Sequence, residues 1–190
     1  APPFGEAVGD ELVESLDEAG VKLHLDTEVE ALEGNGRIEC VVGDDETVEV
    51  DLALVGIGIR PNTELVADTG VEFGDSGAIT VDEFGRTAVD GIYAAGDCAE
   101  DRHAVTETDE WVPLGLTANR AGRAIGQTVA GDPEPVGDIA GTAVLKAFDL
   151  ECGRVGIVDH DRAEAAGFDP VSETITAGSR SGYYPGNAET

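Results

Sequence analysis

Two short apolar runs that end in glycine-bearing turns constrain the fold more than any other feature of this sequence. The first, LALVGIG, covers residues 52–58, and the second, GIYAAGD, covers residues 91–97. Continuous apolar strands of this length are typical of parallel sheets that are covered on both faces. Ligands of such sheets lie beyond the carboxyl ends of the strands, where glycine lets the backbone approach them closely. The two runs therefore predict an α/β fold with a ligand-binding edge.

The segments around these runs predict further helices and strands. Apolar residues recur with helical spacing from Leu12 to Ala19, and Gly20 is placed to end that helix. VKLHL predicts a strand, and residues 28–50 predict a meander that turns at GNG and GDDE. A helix rich in glycine and alanine is predicted between Pro113 and Gly131. The remainder predicts strands, VSETITAG among them, and one short helix at DRAEAAG.

The charge of the chain excludes nucleic acid as a partner. Forty acidic residues against eleven basic ones give a net charge of −29, which repels a phosphate backbone. The acidic residues are dispersed, as on a solvated surface, and salt screens the repulsion between them. We therefore expect a halophilic protein in preference to an acidic interaction module. No calcium-loop motif supports calcium binding.

The cysteines and the apolar content favour a cytoplasmic protein. Cys40, Cys98 and Cys152 are far apart and have no metal-ligand spacing, so we expect free thiols, a reducing compartment and no metal site. No apolar run reaches the length of about 18 residues that a membrane-spanning helix needs, so no membrane contact is expected. Cys98 is predicted to pack in the fold, and His24 and His103 are predicted to lie at the surface.

Asp97 is the candidate ligand-binding residue. It directly follows Gly96 at the end of the second run, where a carboxylate can accept hydrogen bonds from sugar or sugar-alcohol hydroxyls. The helix that begins near Leu114 would direct free N–H groups and its positive dipole end at an anionic or electron-rich ligand atom. Together these segments favour a clamp for the ribityl chain and ring of a flavin. The alternative is that Asp97 only caps a turn.

These motifs, in this order, resemble the flavin-dependent pyridine nucleotide-disulfide oxidoreductases, and within them the NADH oxidase and coenzyme A-disulfide reductase branch. YAAGD with the upstream RT is similar to the second FAD fingerprint of that family, and GIRPNT is similar to the end of its NAD domain. The other matching segments are PLGLTANRAGRAIGQTVAG and YYPG, so the resemblance covers nearly the whole chain.

The resemblance implies partial Rossmann-like domains followed by the start of an α+β dimerisation domain. Residues 1–68 would be the later part of the NAD(P)-binding domain, residues 69–138 the later part of the FAD-binding domain, and residues 139–190 a truncated dimerisation domain. Because the family's first FAD motif, its redox cysteine and its G-x-G-x-x-G do not occur in this sequence, we expect a fragment of a longer parent that is inactive by itself. None of the three cysteines is assigned a redox role.

The resemblance also implies FAD and NAD(P)H as cofactors and names the residues that would contact them: Gly56, Ile57, Gly58, Gly96, Asp97, Leu114, Gly115 and Leu116. Asp97 would bind the ribityl chain, residues 114–116 would face the pyrimidine edge of the flavin, and residues 56–58 would line the nicotinamide side. Tyr183 or Tyr184 would reach the partner subunit's active site in a homodimer, or would only pack.

The implied activity of the parent is the transfer of a hydride from NAD(P)H to FAD and then of electrons to oxygen, a disulfide or another small-molecule acceptor. Two alternatives stay open at this point. One is a ferredoxin- or nitrite-reductase-type flavoprotein, and the other is a binding or dimerisation module without catalysis.

Overall fold

The computed structural model describes residues 4–178 and Tyr183, in two compact units that comprise residues 1–156 and 157–190. The helices and strands of the described part are α1 (Glu6–Glu18), β1 (Val29–Glu33), β2 (Cys40–Gly43), β3 (Thr47–Glu49), β4 (Asp101–Arg102), β5 (Asp109–Glu110), α2 (Gly115–Val129), β6 (Ala143–Ala147), β7 (Leu150–Arg154) and α3 (His160–Ala165). This mixture of helices and strands confirms the α/β prediction. The domain bounds at residues 68 and 138 stay predictions.

The first helix and the meander agree with the sequence. Gly20 follows α1 with φ +82°, and its N–H donates to the Asp17 carbonyl at 2.9 Å, as expected for a glycine that ends a helix. Strands β1, β2 and β3 form an antiparallel sheet in which Val41 lies opposite both Leu32 and Val48. Residues 21–25, which were expected to form a strand, have no regular structure.

The first apolar run is not the buried strand that its composition predicts. Residues 51–63 have no regular secondary structure, and Leu54 and Ile57 are each 92% exposed. A strand is stabilised by the partners that pair its backbone and cover its faces, and no described strand pairs with this segment. The prediction of a strand buried on both faces is therefore wrong for this chain.

The second apolar run lies in a small core, although only single bridges connect it to its neighbours. Tyr93 pairs with Arg86, and the Ala94 N–H donates to the Gly85 carbonyl at 3.0 Å. The core around this run is made of the buried side chains of Val71, Ile79, Ala94 and Ala99. Cys98 packs against this core, as the sequence predicts.

Helix α2 forms a second small core, against which Ala95 of the second apolar run packs. Its buried residues Ala121 and Ala124 pack against Val136, and the small side chains allow this close approach. The helix ends as predicted, because Gly131 follows it with φ +97°.

The last elements are a hairpin, β6–β7, and the short helix α3. In α3 the Asp159 carboxylate caps the first turn by accepting the Arg162 N–H at 3.0 Å. Residues 171–177 have no regular structure, so the strand predicted there is not formed. Within residues 4–178, no helix has the length and apolar character to cross a membrane.

Candidate functional site

The centre of the candidate site is the turn that carries Asp97. Residues Gly96–Cys98 form one turn of 3₁₀ helix, which the Ala99 N–H closes by donating to the Gly96 carbonyl at 2.9 Å. Gly96 has φ +78°, and a Cβ placed on it would lie 3.1 Å from the Cβ of Ala118 in α2. Glycine is thus favoured by the left-handed backbone conformation, and the close approach of the helix disfavours a side chain as well.

The carboxylate of Asp97 is exposed and available to a ligand. Among the described residues it accepts no hydrogen bond and forms no ion pair, whereas its backbone carbonyl accepts the indole N–H of Trp111 at 2.9 Å. The simple alternative from the sequence, in which the side chain caps this turn, has no supporting hydrogen bond in the structure.

The beginning of α2 forms the second side of the site. Leu114 is the N-cap residue in an extended conformation, and no side chain caps the helix there. Gly115 has open space around its Cα, and Leu116 is 78% exposed. The first N–H groups of α2 and its positive dipole end therefore stay free for an electron-rich ligand atom. Because Ala118 lies in this first turn and contacts Gly96, the structure brings the two predicted halves of the flavin clamp together.

The predicted nicotinamide-side residues are not joined to this site. Gly56, Ile57 and Gly58 lie in the exposed segment 51–63, and no hydrogen bond among the described residues links them to the Asp97 turn. Tyr183 belongs to the second unit and is 82% exposed. Tyr184 lies outside the described residues.

His103, predicted at the surface, is only 1% exposed, so that prediction is wrong. Its Nδ1 accepts the backbone N–H groups of Val105 and Thr106, each at 3.3 Å, and the backbone N–H of His103 donates to the Thr108 carbonyl at 2.8 Å. It is buried because it pairs with Ile139 and supports the loop between β4 and β5. No pattern in the sequence indicated this burial. His24, in contrast, lies at the surface beside Glu46.

A cavity of about 540 Å³ lies next to β4 and is lined mainly by carboxylates, among them Asp82, Glu100, Asp101, Asp109 and Asp138. Burial raises the pKa of Asp101 from 3.8 to about 6; the positive charge of Arg120 opposes this rise, and the negative charge of Asp109 adds to it. The Arg120 guanidinium also donates to the carbonyls of Gly137 and Asp138, at 2.9 and 3.0 Å. No pattern in the sequence indicated these contacts.

The geometry is that of an α/β protein in which a glycine turn with an exposed carboxylate packs against the first turn of an uncapped helix. Residues 1–122 match the pyridine nucleotide-disulphide oxidoreductase family, and the chain belongs to this family. The resemblance inferred from the motifs is thereby confirmed.

Individual relatives agree with the branch as well. The chain is 38% identical over 98% of its length to a "NAD(P)H coenzyme A polysulfide/persulfide reductase" of Pyrococcus horikoshii, covering 41% of that protein. It is 33% identical over 92% of its length to an "NADH oxidase" of Methanocaldococcus jannaschii, covering 38% of it. The solved NAD-dependent persulfide reductase of A. fulgidus superposes on the whole chain with a TM-score of 0.90 and 32% identity, over 35% of that structure. This chain thus spans about two fifths of the length of the curated relatives that it matches.

Proposed function

We propose that this chain is part of a longer, FAD-dependent NAD(P)H oxidoreductase of the NADH oxidase and coenzyme A-disulfide reductase type. The observation that carries the proposal is the exposed carboxylate of Asp97, which has no protein partner among the described residues and lies beside the uncapped start of α2. Both groups fit the flavin half of FAD, which presents polyol hydroxyls and an electron-rich ring edge.

Each part of the site has a distinct task in this proposal. The Asp97 carboxylate accepts hydrogen bonds from the ribityl hydroxyls, and Gly96 lets the turn lie against α2. The free N–H groups of residues 114–116 donate to the pyrimidine edge of the ring, and residues 56–58 line the nicotinamide side. Bound FAD would supply the redox chemistry, accepting a hydride from NAD(P)H and passing electrons to oxygen, a disulfide, a persulfide or another small acceptor.

The proposal extends to the parent as an assembly. Residues 139–190 would begin the interface of a homodimer, in which Tyr183 or Tyr184 would reach the partner subunit's active site. We further propose a cytoplasmic protein adapted to concentrated salt, which the net charge of −29 supports. The isolated chain is expected to show no NADH turnover.

The assignment of Asp97 is tested in the parent by measuring the dissociation constant of FAD through the quenching of flavin fluorescence in molar salt. Asp97→Asn removes the charged acceptor and is expected to weaken FAD binding by about 10-fold to 100-fold. Asp90→Asn is the matched control, since Asp90 is exposed and the exchange removes the same charge seven positions away. Equal affinities of Asp97→Asn and the wild type would contradict the assignment.

The electron acceptor is tested by the consumption of NADH under anaerobic conditions with coenzyme A disulfide or a persulfide, and then with oxygen alone. Turnover with the sulfur substrate places the parent in the reductase branch and gives the tyrosines a role to examine by mutation. Turnover with oxygen alone makes it an NADH oxidase. Turnover with neither would favour a protein acceptor, as in ferredoxin reductases.

A further inference from the structure

Trp111 makes a hydrogen bond that the proposed cofactor contacts do not explain. Its indole Nε1–H donates to the backbone carbonyl of Asp97 at 2.9 Å, across fourteen positions of the sequence. An indole has a single N–H and no acceptor, so this bond uses its whole hydrogen-bonding capacity. The 3₁₀ turn itself is closed by the Gly96 carbonyl, so the bond from Trp111 holds residue 97 in addition to the turn.

Because of the position of Trp111 in the chain, this bond connects the Asp97 turn with the segment that leads into α2. Trp111 directly follows β5 and precedes Leu114, the N-cap of α2, by three positions. Pro113, between them, has a restricted φ, which limits the conformations of this short connection. The indole therefore joins the Asp97 turn to the segment that leads into the helix N-terminus.

A second contact, between Gly96 and Ala118, also joins the Asp97 turn to α2. The Gly96 backbone lies against Ala118, with 3.1 Å from an added Cβ to the alanine Cβ. Residues 96–97 are thus held at two points, by Trp111 before α2 and by Ala118 within its first turn. The turn is also anchored at Cys98, whose carbonyl accepts the Ile79 N–H at 2.8 Å, so the bond from Trp111 adds a constraint at residue 97 itself.

We propose that Trp111 is a positioning residue for FAD, which fixes the Asp97 carboxylate relative to the free N–H groups of α2; this inference rests on the function proposed above. In this role it acts through the carbonyl of residue 97 and not through a contact of its own with FAD. Without it, the carboxylate and the helix N-terminus no longer present one preorganised arrangement to the ligand, and binding must order them.

The test measures FAD affinity in the full-length parent, with variants that separate the N–H group from the bulk of the ring. Trp111→Phe removes the donor and keeps an aromatic ring, and we expect it to weaken FAD binding by about 2-fold to 10-fold, the range of one neutral hydrogen bond. Thr106→Val is the control in the neighbouring β4–β5 loop, since it removes the 2.8 Å bonds from Thr106 to Glu110 and from Thr108 to Thr106, and no bond to residue 97. We expect no change in FAD affinity for the control.

A double-mutant cycle separates positioning from a merely structural role. If Trp111 acts through Asp97, Trp111→Phe has little further effect on FAD affinity in the Asp97→Asn background, so the two effects are not additive. If Trp111→Phe fails to fold, benzothienylalanine at position 111, in which sulfur replaces the N–H at nearly constant volume, serves in its place.

Unchanged FAD affinity in the donor-free variant, or full additivity with Asp97→Asn, would overturn the inference and leave the proposed function standing. A wild-type parent that binds no FAD would overturn both.

Discussion

Gly96 unites two constraints at a single residue, and each can be measured separately. Its φ of +78° disfavours any side chain, and an added Cβ would lie only 3.1 Å from the Cβ of Ala118, so that α2 or the turn would have to shift slightly. Gly91 has a similar φ of +80° with nothing within 4 Å of an added Cβ. The pair therefore offers a comparison in which only the helix contact differs.

We expect Gly91→Ala to lower the free energy of unfolding by about 1–2 kcal/mol, the effect of the left-handed conformation alone. Gly96→Ala should lower it by roughly a further 1–3 kcal/mol, because the added methyl group pushes the turn away from α2. Urea unfolding in molar salt measures both values. If both variants lost the same free energy of unfolding, the turn would be able to shift away from α2 at no cost. The close approach of Gly96 to Ala118 would then contribute nothing to stability.

Asp101 gives the fold a dependence on pH. Burial raises its pKa from 3.8 to about 6, so the folded protein holds a proton that the unfolded chain has already released between these values. The free energy of unfolding therefore falls as pH rises through this window. Asp101→Asn cannot ionise, and we expect its stability relative to the wild type to increase from pH 4 to pH 7.

The measurement is denaturant unfolding of the wild type, Asp101→Asn and the exposed control Asp90→Asn across this pH range. The control should run parallel to the wild type. A constant difference between Asp101→Asn and the wild type at every pH would show that the carboxyl titrates normally. Asp109→Asn should lower the pKa of Asp101, because the negative charge of Asp109 helps to raise it.

Among the elements, those with a local signal could be predicted and those that depend on partners could not. Helix α1, the meander and α2 follow from apolar spacing and from glycines at their ends. The prediction of a buried strand at residues 52–58 was wrong. The composition of this run is typical of a strand that is paired on both sides, but such pairing depends on strands elsewhere in the fold. Apolar composition alone does not reveal whether those partners are near.

The candidate site divides in the same way. Asp97 and Leu114 could be proposed from the sequence, because a glycine turn and a helix start have local patterns. The hydrogen bond of Trp111 to residue 97, the burial of His103 and the contacts of Arg120 were missed. Each of these joins positions far apart in the chain or depends on packing, and such contacts leave no periodic trace in one sequence.

Substitutions at two apolar residues test the exposed segment. Leu54→Ala should change the free energy of unfolding by less than about 0.5 kcal/mol, because the side chain is 92% exposed. Ile79→Ala, in the core at 5% exposure, should lower it by about 2–5 kcal/mol. Chemical unfolding of the 190-residue chain provides both numbers. If Leu54→Ala lowered the free energy of unfolding by as much as Ile79→Ala does, the structure would be contradicted, and the buried strand predicted from the sequence would be supported.

At the scale of the whole molecule, we expect the net charge to make the stability of this fold depend on the salt concentration. Forty acidic and eleven basic residues leave −29 charges on a chain whose carboxylates are mostly exposed. Repulsion between them reaches about 10 Å at 0.1 M salt and about 3 Å at 1 M. Since unfolding moves these charges apart, a low salt concentration shifts the folding equilibrium towards the unfolded state.

We therefore expect the apparent Tm to rise by roughly 4 °C or more between 0.1 M and 2 M KCl, which corresponds to about 1–2 kcal/mol for a chain of this size. Sucrose at the same osmolarity separates screening from preferential exclusion, because it favours burial without screening charge. Screening predicts a larger rise with KCl than with sucrose. It also predicts a smaller salt effect when the exposed α1 residues Glu11, Glu14 and Glu18 are changed to glutamine. Equal rises with both solutes, and no change in the glutamine variant, would mean that the acidic surface is not what ties this fold to salt.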